Sequence, residues 1–326
     1  MRKTFSIYRY CTTVLLLLFA ATANAQFDGQ FSQYMLNPAL FNPASIGEGE
    51  ELVVNLTSRQ QWVSIENAPT TFLLNASLPK MFGSSRHGFG LVVLNESYGL
   101  FSTQLLQAQY AYRRPLWGGL LGVGLQGGML QQAFDAGDIY IPSSDYHVPS
   151  DPSKPSGNLE GMIPDINLGL WFSHPRFHTG LSVSHLTGMA VKLKENEEAS
   201  NEDAYKMVPA RTYYLTGGYN INLSNPLYTL QPSFLLKTDL KAWQADLSAK
   251  LTYKDNYWGM LGWRPQDAVI VSAGVKLPQG LSIGYAYDIS LTLWGASGGS
   301  HEIFLRYARK IETATVSKKQ KSIRIL

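Results

Sequence analysis

The chain has 326 residues, of which 45% are hydrophobic, 16% are charged and one is a cysteine. The charged fraction lies below the roughly 25% that is typical of soluble proteins. The formal net charge of +3 comes entirely from the first 25 residues: without Arg2, Lys3 and Arg9 the 27 basic residues become 24, which equals the 24 acidic ones. A near-neutral chain with a single cysteine gives no support to a nucleic-acid-binding protein and excludes a disulfide framework.

Residues 1–25 have the features of a secretion signal peptide. Basic residues precede a short apolar run at 14–21, and Ala23-Asn24-Ala25 forms a small-x-small cleavage site. The apolar run is shorter than the ~18 residues that a membrane-spanning helix needs. We therefore expect cleavage before Gln26. No other long apolar run occurs in the sequence.

Residues 26–49 form an irregular segment that contains the stretch QFSQYMLNPALFNPASIG. Two Asn-Pro pairs, Asn37-Pro38 and Asn42-Pro43, lie five residues apart in it. Proline donates no backbone hydrogen bond and moves the preceding residue out of helical conformation. The segment is therefore predicted to be neither a regular helix nor a regular strand.

Apolar and polar residues alternate with a period of two from about residue 50 to residue 309. In the stretch 244–253, for example, Leu247 and Leu251 fall on one face, whereas Asp246 and Lys250 fall on the other. Strict alternation predicts β-strands with one apolar and one polar face. Fourteen segments show it: 50–62, 69–78, 87–96, 103–113, 118–131, 163–173, 176–186, 209–223, 227–237, 243–253, 257–264, 267–277, 280–291 and 301–309.

Three features favour a membrane barrel over a soluble β-sandwich. The polar faces consist mainly of small and amide side chains rather than charged ones. Aromatic residues gather at strand ends, as in the two girdles at the lipid headgroups: Tyr253, Tyr257, Trp258, Trp263, Tyr287 and Tyr307. The two long connections, 132–162 and 187–208, are the fifth and the seventh, so an up-and-down arrangement places both on one side.

The sequence thus predicts an all-β fold, a closed antiparallel up-and-down transmembrane β-barrel of 14 strands that spans residues 50–309. Closure follows because an unpaired strand edge is costly in lipid. Outer-membrane barrels have short periplasmic turns and longer outer loops, so we expect both termini in the periplasm. Residues 310–326 form a basic tail that we expect on the periplasmic side.

The two long loops are candidates for contact with a protein at the cell surface, because binding residues concentrate on loops carried by a rigid scaffold. The fifth loop is rich in proline and serine, and the seventh mixes acids and lysines. A plain solvated loop is the alternative interpretation of each. The candidate contact residues are Asp145, Tyr146, His147, Asp151, Glu195, Glu197, Glu198 and Tyr205.

No pattern in the sequence predicts a catalytic residue, a metal site or a cofactor. GVGLQG at 122–127 matches a dinucleotide fingerprint, but it lies inside a predicted strand with no helix after it. His178 and His185 differ in parity, so they are expected on opposite faces of a strand, away from each other. Asp135 and Asp138 are expected to serve a turn.

Four stretches resemble the PorP/SprF family of type IX secretion system membrane proteins. They are the opening QFSQYMLNPALFNPASIG, RQQWVSIENAPTTFLLNASLP at 59–79, FHTGLSVSHL at 177–186, and GLSIGYAYDISL followed by GGSHEIFLRYA near the end. The resemblance covers nearly the whole mature chain in order. The basic tail departs from it, because the usual terminal aromatic assembly signal would have to be Tyr307, inside the chain.

The resemblance implies an outer-membrane barrel of the secretion or gliding machinery that assists export of cargo and holds it at the cell surface, without enzymatic activity. Its partners would be the bilayer, periplasmic machinery proteins and a cargo domain. The irregular segment would lie at or below the periplasmic mouth and would plug the barrel, dock on a partner or pack on the rim. Its candidate contact residues are Phe31, Tyr34, Met35, Asn37, Pro38, Phe41, Asn42 and Pro43.

Two other functions stay open from the sequence. Fourteen strands lie between filled ~8-stranded barrels and open 16–18-stranded porins. A channel or transporter for a small or hydrophobic solute is therefore the main alternative. An outer-membrane enzyme is the third, and it would need a compact polar cluster at the outer rim that the sequence does not show.

Overall fold

The computed structural model describes residues 29–83, 85–136, 157–194 and 205–311. Three short 3₁₀ helices, Tyr34–Leu36, Pro38–Leu40 and Pro43–Ser45, precede the strands. The strands are β1 (Glu51–Gln60), β2 (Thr70–Phe82), β3 (Ser85–Tyr98), β4 (Phe101–Leu116), β5 (Gly119–Asp135), β6 (Asn158–Ser173), β7 (Phe177–Ser184), β8 (Val191–Leu193), β9 (Tyr205–Met207), β10 (Thr212–Tyr219), β11 (Ile221–Asn222), β12 (Tyr228–Thr238), β13 (Trp243–Tyr253), β14 (Tyr257–Arg264), β15 (Ala268–Lys276), β16 (Leu281–Ser290) and β17 (Ser300–Lys310).

Fourteen of these strands form one closed antiparallel barrel. Each pairs with the next along the chain, β7 pairs with β10, β10 pairs with β12, and β17 pairs with β1 to close the sheet. β11 only extends the edge of β12, and β8 and β9 form a separate hairpin. The predicted 14-stranded up-and-down barrel is confirmed.

The connections divide by length between the two ends of the barrel. The connections 136–157 and 185–211 lie at the same end, which we call the loop rim. The opposite end, the turn rim, carries the connections 83–84, 117–118 and 254–256. The predicted placement of both long connections at one end is therefore confirmed.

The barrel is apolar outside and polar inside, the reverse of a water-soluble protein. On the outer face, Leu106, Met162 and Leu181 are each more than half exposed. The largest fully buried side chains include those of Arg59 and Glu302, which point into the lumen. A surface of exposed large apolar side chains requires lipid around it. Among the described residues, no helix is long and apolar enough to span a membrane.

The aromatic girdles form as predicted, with one correction. Tyr257 and Trp263 are outward and exposed at opposite ends of β14. Trp258, predicted on the same outward face, points into the lumen instead, where it packs beside Met260. Strand alternation explains the difference, because residues 258 and 260 necessarily share a face that 257 does not.

β2 to β6 are longer than the hydropathy pattern predicts, with 13 to 17 residues each. Near the loop rim the outward side chains of these strands become polar. Thr70 and Ser97 share a hydrogen bond of 2.6 Å there, and Gln131 donates to Glu160 at 3.0 Å. The apolar alternation ends at the lipid boundary, whereas strand pairing continues beyond it as a wall with polar outer residues.

Candidate functional site

Residues 29–47, which we call the plug, lie inside the barrel and cross its lumen from the loop rim to the turn rim. Gln30 donates to Gln244 near the loop-rim end of β13. At the other end, the carbonyl of Ile46 accepts from Arg113, three residues before the end of β4 at the turn rim. The aromatic side chains of Phe31, Tyr34 and Phe41 belong to a buried cluster with residues of the wall.

The path of the plug revises the expected position of the two chain ends. Gly29 lies near Glu96 at the loop rim, whereas Ile311 pairs with Glu50 at the turn rim. The ends of the described chain therefore lie at opposite rims of the barrel, not at the same one. The segment also lies within the lumen and not below it. Which side of the membrane each rim faces stays a prediction.

The irregular backbone of the plug follows from its two Asn-Pro pairs. Pro38 and Pro43 each open a 3₁₀ turn, and Asn42 caps the second turn by accepting from the amide of Ala44 at 2.9 Å. Such short turns leave many backbone groups without a partner inside the segment. Polar side chains of the barrel wall supply those partners.

Near the loop rim, the plug is held by a buried ionic cluster that we call the latch. The amides of Ser32 and Gln33 donate to the two carboxylate oxygens of Glu302 at 2.7 and 2.9 Å. The hydroxyl of Ser32 donates to Asp288 and accepts from Arg59, both at 2.5 Å. Arg59 also pairs with Asp288 at 2.8 Å and with Glu302 at 3.3 Å. Every charge in the latch thus has a partner, which burial requires.

Arg264 extends the latch around the inner wall. Its guanidinium contacts Asp246 at 2.5 Å, Asp267 at 3.0 Å and Asp288 at 3.4 Å. Asp246, which the sequence predicts on a polar strand face, and Asp288 both point into the lumen. The two arginines therefore share Asp288, so the latch is one continuous network across β1 and β13 to β17.

Amide side chains fix the middle and the lower half of the plug. Asn37 donates to Asn75 at 2.7 Å, and Gln109 donates to the carbonyl of Ala39 at 2.7 Å. Asn42 donates to the carbonyls of Leu170 and Leu181 at 2.9 and 3.1 Å. Asn42 is thereby bound to two adjacent strands, β6 and β7.

Glycines on the inner wall make room for the plug. A side chain at Gly124 would collide with the backbone of Ala44, and one at Gly169 would collide with Asn42. A side chain at Gly122 would lie 2.8 Å from the carbonyl oxygen of Ala44. This explains the first glycines of GVGLQG: they lie in β5, as predicted, and allow the plug to approach the wall.

A depression of about 740 Å³ lies in the outer wall between β7 and β14, with an almost entirely apolar lining that includes Gly217, Pro232, Phe234, Ala249 and Trp263. Its outward side chains place it against lipid. Beside the plug, a cavity between Phe31, Phe41 and Phe304 measures only about 10 Å³.

Of the eight plug residues predicted to contact a partner, most are buried. Phe31, Tyr34, Asn37, Phe41, Asn42 and Pro43 are buried in the barrel, and Met35 and Pro38 are half-buried. Of the predicted loop contacts, Tyr205 is 46% exposed at the start of β9. Asp145, Tyr146, His147, Asp151, Glu195, Glu197 and Glu198 lie outside the described residues. Contact of any of these residues with a partner stays a prediction.

The hairpin of β8 and β9 is attached to the wall above the lipid boundary. Val191 and Leu193 pack against Leu130, Leu159 and Ile163, which are inner residues of β5 and β6. Glu160 and Lys194 also exchange two backbone hydrogen bonds of 2.9 and 3.0 Å. The start of the seventh connection therefore forms an ordered part of the loop rim.

The histidines occupy positions that the parity argument does not predict. His178 faces the lumen and stacks on Trp171, and His185 also turns inward, 3.1 Å from Asp165. The expectation of opposite faces is wrong because β7 ends at Ser184 and His185 has a positive φ of 55°. In the described ranges, no group of three or more His, Cys, Asp or Glu side chains is arranged to hold a metal ion.

Sequence reasoning missed Arg59, Arg264 and Glu302 as members of the latch. Each lies on the polar face of its strand, within a few residues of the loop rim. Their similar distance from the loop-rim ends of their strands is the signal in the sequence that could have indicated a cluster. Their convergence depends on the pairing of strands more than 200 residues apart.

A closed barrel with an apolar exterior, aromatic girdles and a chain segment bound in its lumen defines the class: a membrane β-barrel with a plugged interior. Solved barrels have a similar shape at low identity. The toluene transporter TbuX of Ralstonia pickettii is 12% identical, with 89% of this chain and 96% of that chain covered and a TM-score of 0.47. The CymD monoaromatic hydrocarbon channel is 13% identical, with 89% and 95% covered and the same TM-score.

The translocator domain of the autotransporter NalP from Neisseria meningitidis is 11% identical, with 86% of this chain and 95% of that chain covered and a TM-score of 0.44. No curated protein sequence matches the chain. The family model of the type IX secretion system membrane protein PorP/SprF matches residues 23–307. The chain therefore belongs to the PorP/SprF family.

Proposed function

We propose that this protein is an outer-membrane barrel of the type IX secretion and gliding system that acts by binding other proteins at its two rims. In this proposal the loop rim faces the outside and contacts a secreted cargo domain. The turn rim faces the periplasm and contacts machinery proteins. The chemistry is recognition, with no covalent step.

The plugged lumen is the observation that carries the proposal. The latch binds Ser32 and Gln33 through charged groups that are buried on all sides. The cavity beside the plug has about the volume of a single water-sized probe. A lumen that is crossed by the barrel's own chain leaves no open path for a solute, which favours a protein that binds partners at its two ends.

The loop rim has the features of a protein-binding surface. The polar wall of β3 to β6 extends past the apolar band, and the hairpin of β8 and β9 is fixed to it. The long connections that start from this wall carry the candidate cargo contacts. Binding residues on loops above a rigid scaffold are a common arrangement.

Replacement of residues 137–156 by a short Gly-Ser linker tests the proposal. We expect cells with this variant to assemble the barrel normally but to lose cargo from their surface, measured by cell fractionation. The matched control replaces the short connection 239–242 at the same rim with Gly-Ser of equal length. Unchanged surface cargo in the first variant would reject the role of this loop.

The transporter alternative has less support, since the plug crosses the whole lumen. The similarity to hydrocarbon channels does not change this, because it lies at 12–13% identity. An open channel would require the latch to release Ser32 and the lower plug to leave the wall.

A further inference from the structure

The turn-rim half of the lumen contains a group of hydrogen-bond donors that the plug does not use fully. The lower plug packs against β4 to β7, so the inner faces of β12 to β17 at this depth are only partly covered. We call this space the donor chamber. Its residues are Gln33, His178, Ser233, Lys250, Trp258 and Arg306.

Strand alternation places the cations of the chamber on the inner face. Lys250 shares its face of β13 with Asp246 and Ser248, which lie four and two residues nearer the loop rim. Arg306 shares its face of β17 with Glu302. The charges of Lys250 and Arg306 act on each other, and that of Lys250 acts on His178.

Glycines bring the other donors together. A side chain at Gly284 would lie 2.6 Å both from the amide oxygen of Gln33 and from the Trp258 ring, so this amide and this ring are neighbours. A side chain at Gly218 would likewise lie 3.0 Å from the Ser233 hydroxyl and 2.5 Å from His178. The two pairs lie on the wall on either side of Lys250.

Several of these groups lack a partner in the structure. Gln33 is 2% exposed, and neither its amide nitrogen nor its amide oxygen has a hydrogen bond; the Ser233 hydroxyl also has none. Within the described part of the chain, Lys250 and Arg306 form no ion pair. Arg306 makes one long hydrogen bond of 3.4 Å to the carbonyl of Leu36. Buried polar groups are normally paired, so this set points to a ligand.

Charge separates along the lumen in a way that favours an anion in the chamber. The acids of the latch lie at the loop-rim half, whereas the chamber holds two cations and a histidine. Among the described residues, two acids interact electrostatically with groups of the chamber: Glu48 with His178, and Glu51 with Arg306. Both lie at its edge near the turn rim.

We propose that the donor chamber binds a carboxylate-bearing segment of a protein partner, which enters from the turn rim. A carboxylate suits converging cations and N–H donors, and the apolar floor of Trp258 and Met260 suits the stem of a glutamate. A lipid phosphate is a poorer fit, since the barrel wall separates the chamber from the acyl chains. The inference rests on the proposed function in one respect, that the turn rim meets partner proteins.

Binding of a fluorescent hexaglutamate peptide to the purified full-length protein in detergent tests the inference, read as fluorescence anisotropy. We expect Lys250→Gln or Arg306→Gln to weaken binding about tenfold or more. Arg309→Gln, an exposed outward residue three positions along the same strand, is the matched control and should leave binding unchanged. Electrophoretic mobility before and after heating verifies that each variant is folded.

Three results would overturn the inference: no binding of hexaglutamate, equal binding of hexalysine, or an equal loss in the Arg309→Gln control. If low millimolar inorganic phosphate competed fully with the peptide, the ligand of the chamber would be a small anion and not a peptide segment. The assay contains no cargo and no machinery. Loss of export with peptide binding intact would therefore count against the proposed function alone. Loss of peptide binding with export intact would count against the chamber alone.

Discussion

Arg59 on the first strand and Glu302 on the last strand are direct neighbours across the seam that closes the barrel, and both bind Ser32 of the plug. The barrel closes where the plug is held. Closure of the sheet and seating of the plug therefore share the same buried charges, so each stabilises the other.

Glu302→Gln should destabilise the folded barrel. The substitution conserves volume but removes the charge that pairs with Arg59, and the new amide group would face donors. Removal of one partner from a buried ion pair costs on the order of 3 kcal/mol. We expect the variant to unfold at lower urea concentration in detergent. Glu66→Gln, an exposed acid in the connection between β1 and β2, is the control; equal stability of the two variants would contradict the latch.

Gly124→Val should displace the lower plug from the wall. Its side chain would occupy the space of the Ala44 backbone. Ser45→Cys reports the displacement, because position 45 is buried and the substitution is nearly isosteric. We expect a water-soluble maleimide to label this cysteine much faster when Gly124→Val is present.

Gly127→Val is the matched control for this experiment. It lies in the same GVGLQG stretch, but a side chain there would meet only the carbonyl of Asp165 at 3.9 Å, an ordinary contact. Labelling of position 45 should stay slow in this variant. Equal labelling rates in the two variants would mean that Gly124 does not seat the plug.

Cysteine labelling on intact cells should establish the orientation of the barrel. Tyr205→Cys lies at the loop rim and Asn256→Cys at the turn rim, and both positions are exposed. The only native cysteine is Cys11, in the predicted signal peptide. A membrane-impermeant maleimide should label position 205 on intact cells and position 256 only after permeabilisation. The reverse pattern would invert the proposed assignment of the two rims.

The strands and their order are predictable from the sequence because lipid imposes a local rule. Each strand that crosses the apolar band alternates, so fourteen alternating segments give fourteen strands. The rule ends with the lipid, so the predicted segments stop at Gln131 in β5 and begin at Ile163 in β6, although β5 continues to Asp135 and β6 begins at Asn158. The two long loops are both odd-numbered connections, so an up-and-down order places them at one end without any information on strand contacts.

The contents of the lumen are not predictable in the same way. The polar faces show that Asp246 and Asp288 point inward, but not that they meet Arg264 and Arg59 from strands far along the chain. The segment 29–47 precedes β1 in the chain, so the sequence predicts it at or below the barrel mouth. Its contacts with distant strands, which hold it inside the lumen, are not visible in the sequence. Trp258 is a similar case. Its hydrophobic side chain suggests a lipid-facing position, but strand alternation directs it into the lumen.

Single-channel recording of the purified full-length protein in planar bilayers tests the central claim most directly. We expect a silent barrel, because the plug crosses the lumen from rim to rim and the latch holds it in place. A variant without residues 29–47, if it inserts, should show ion flow and serves as the positive control. Steady current through the full-length protein at low voltage would contradict the account and favour transport of a solute through the lumen.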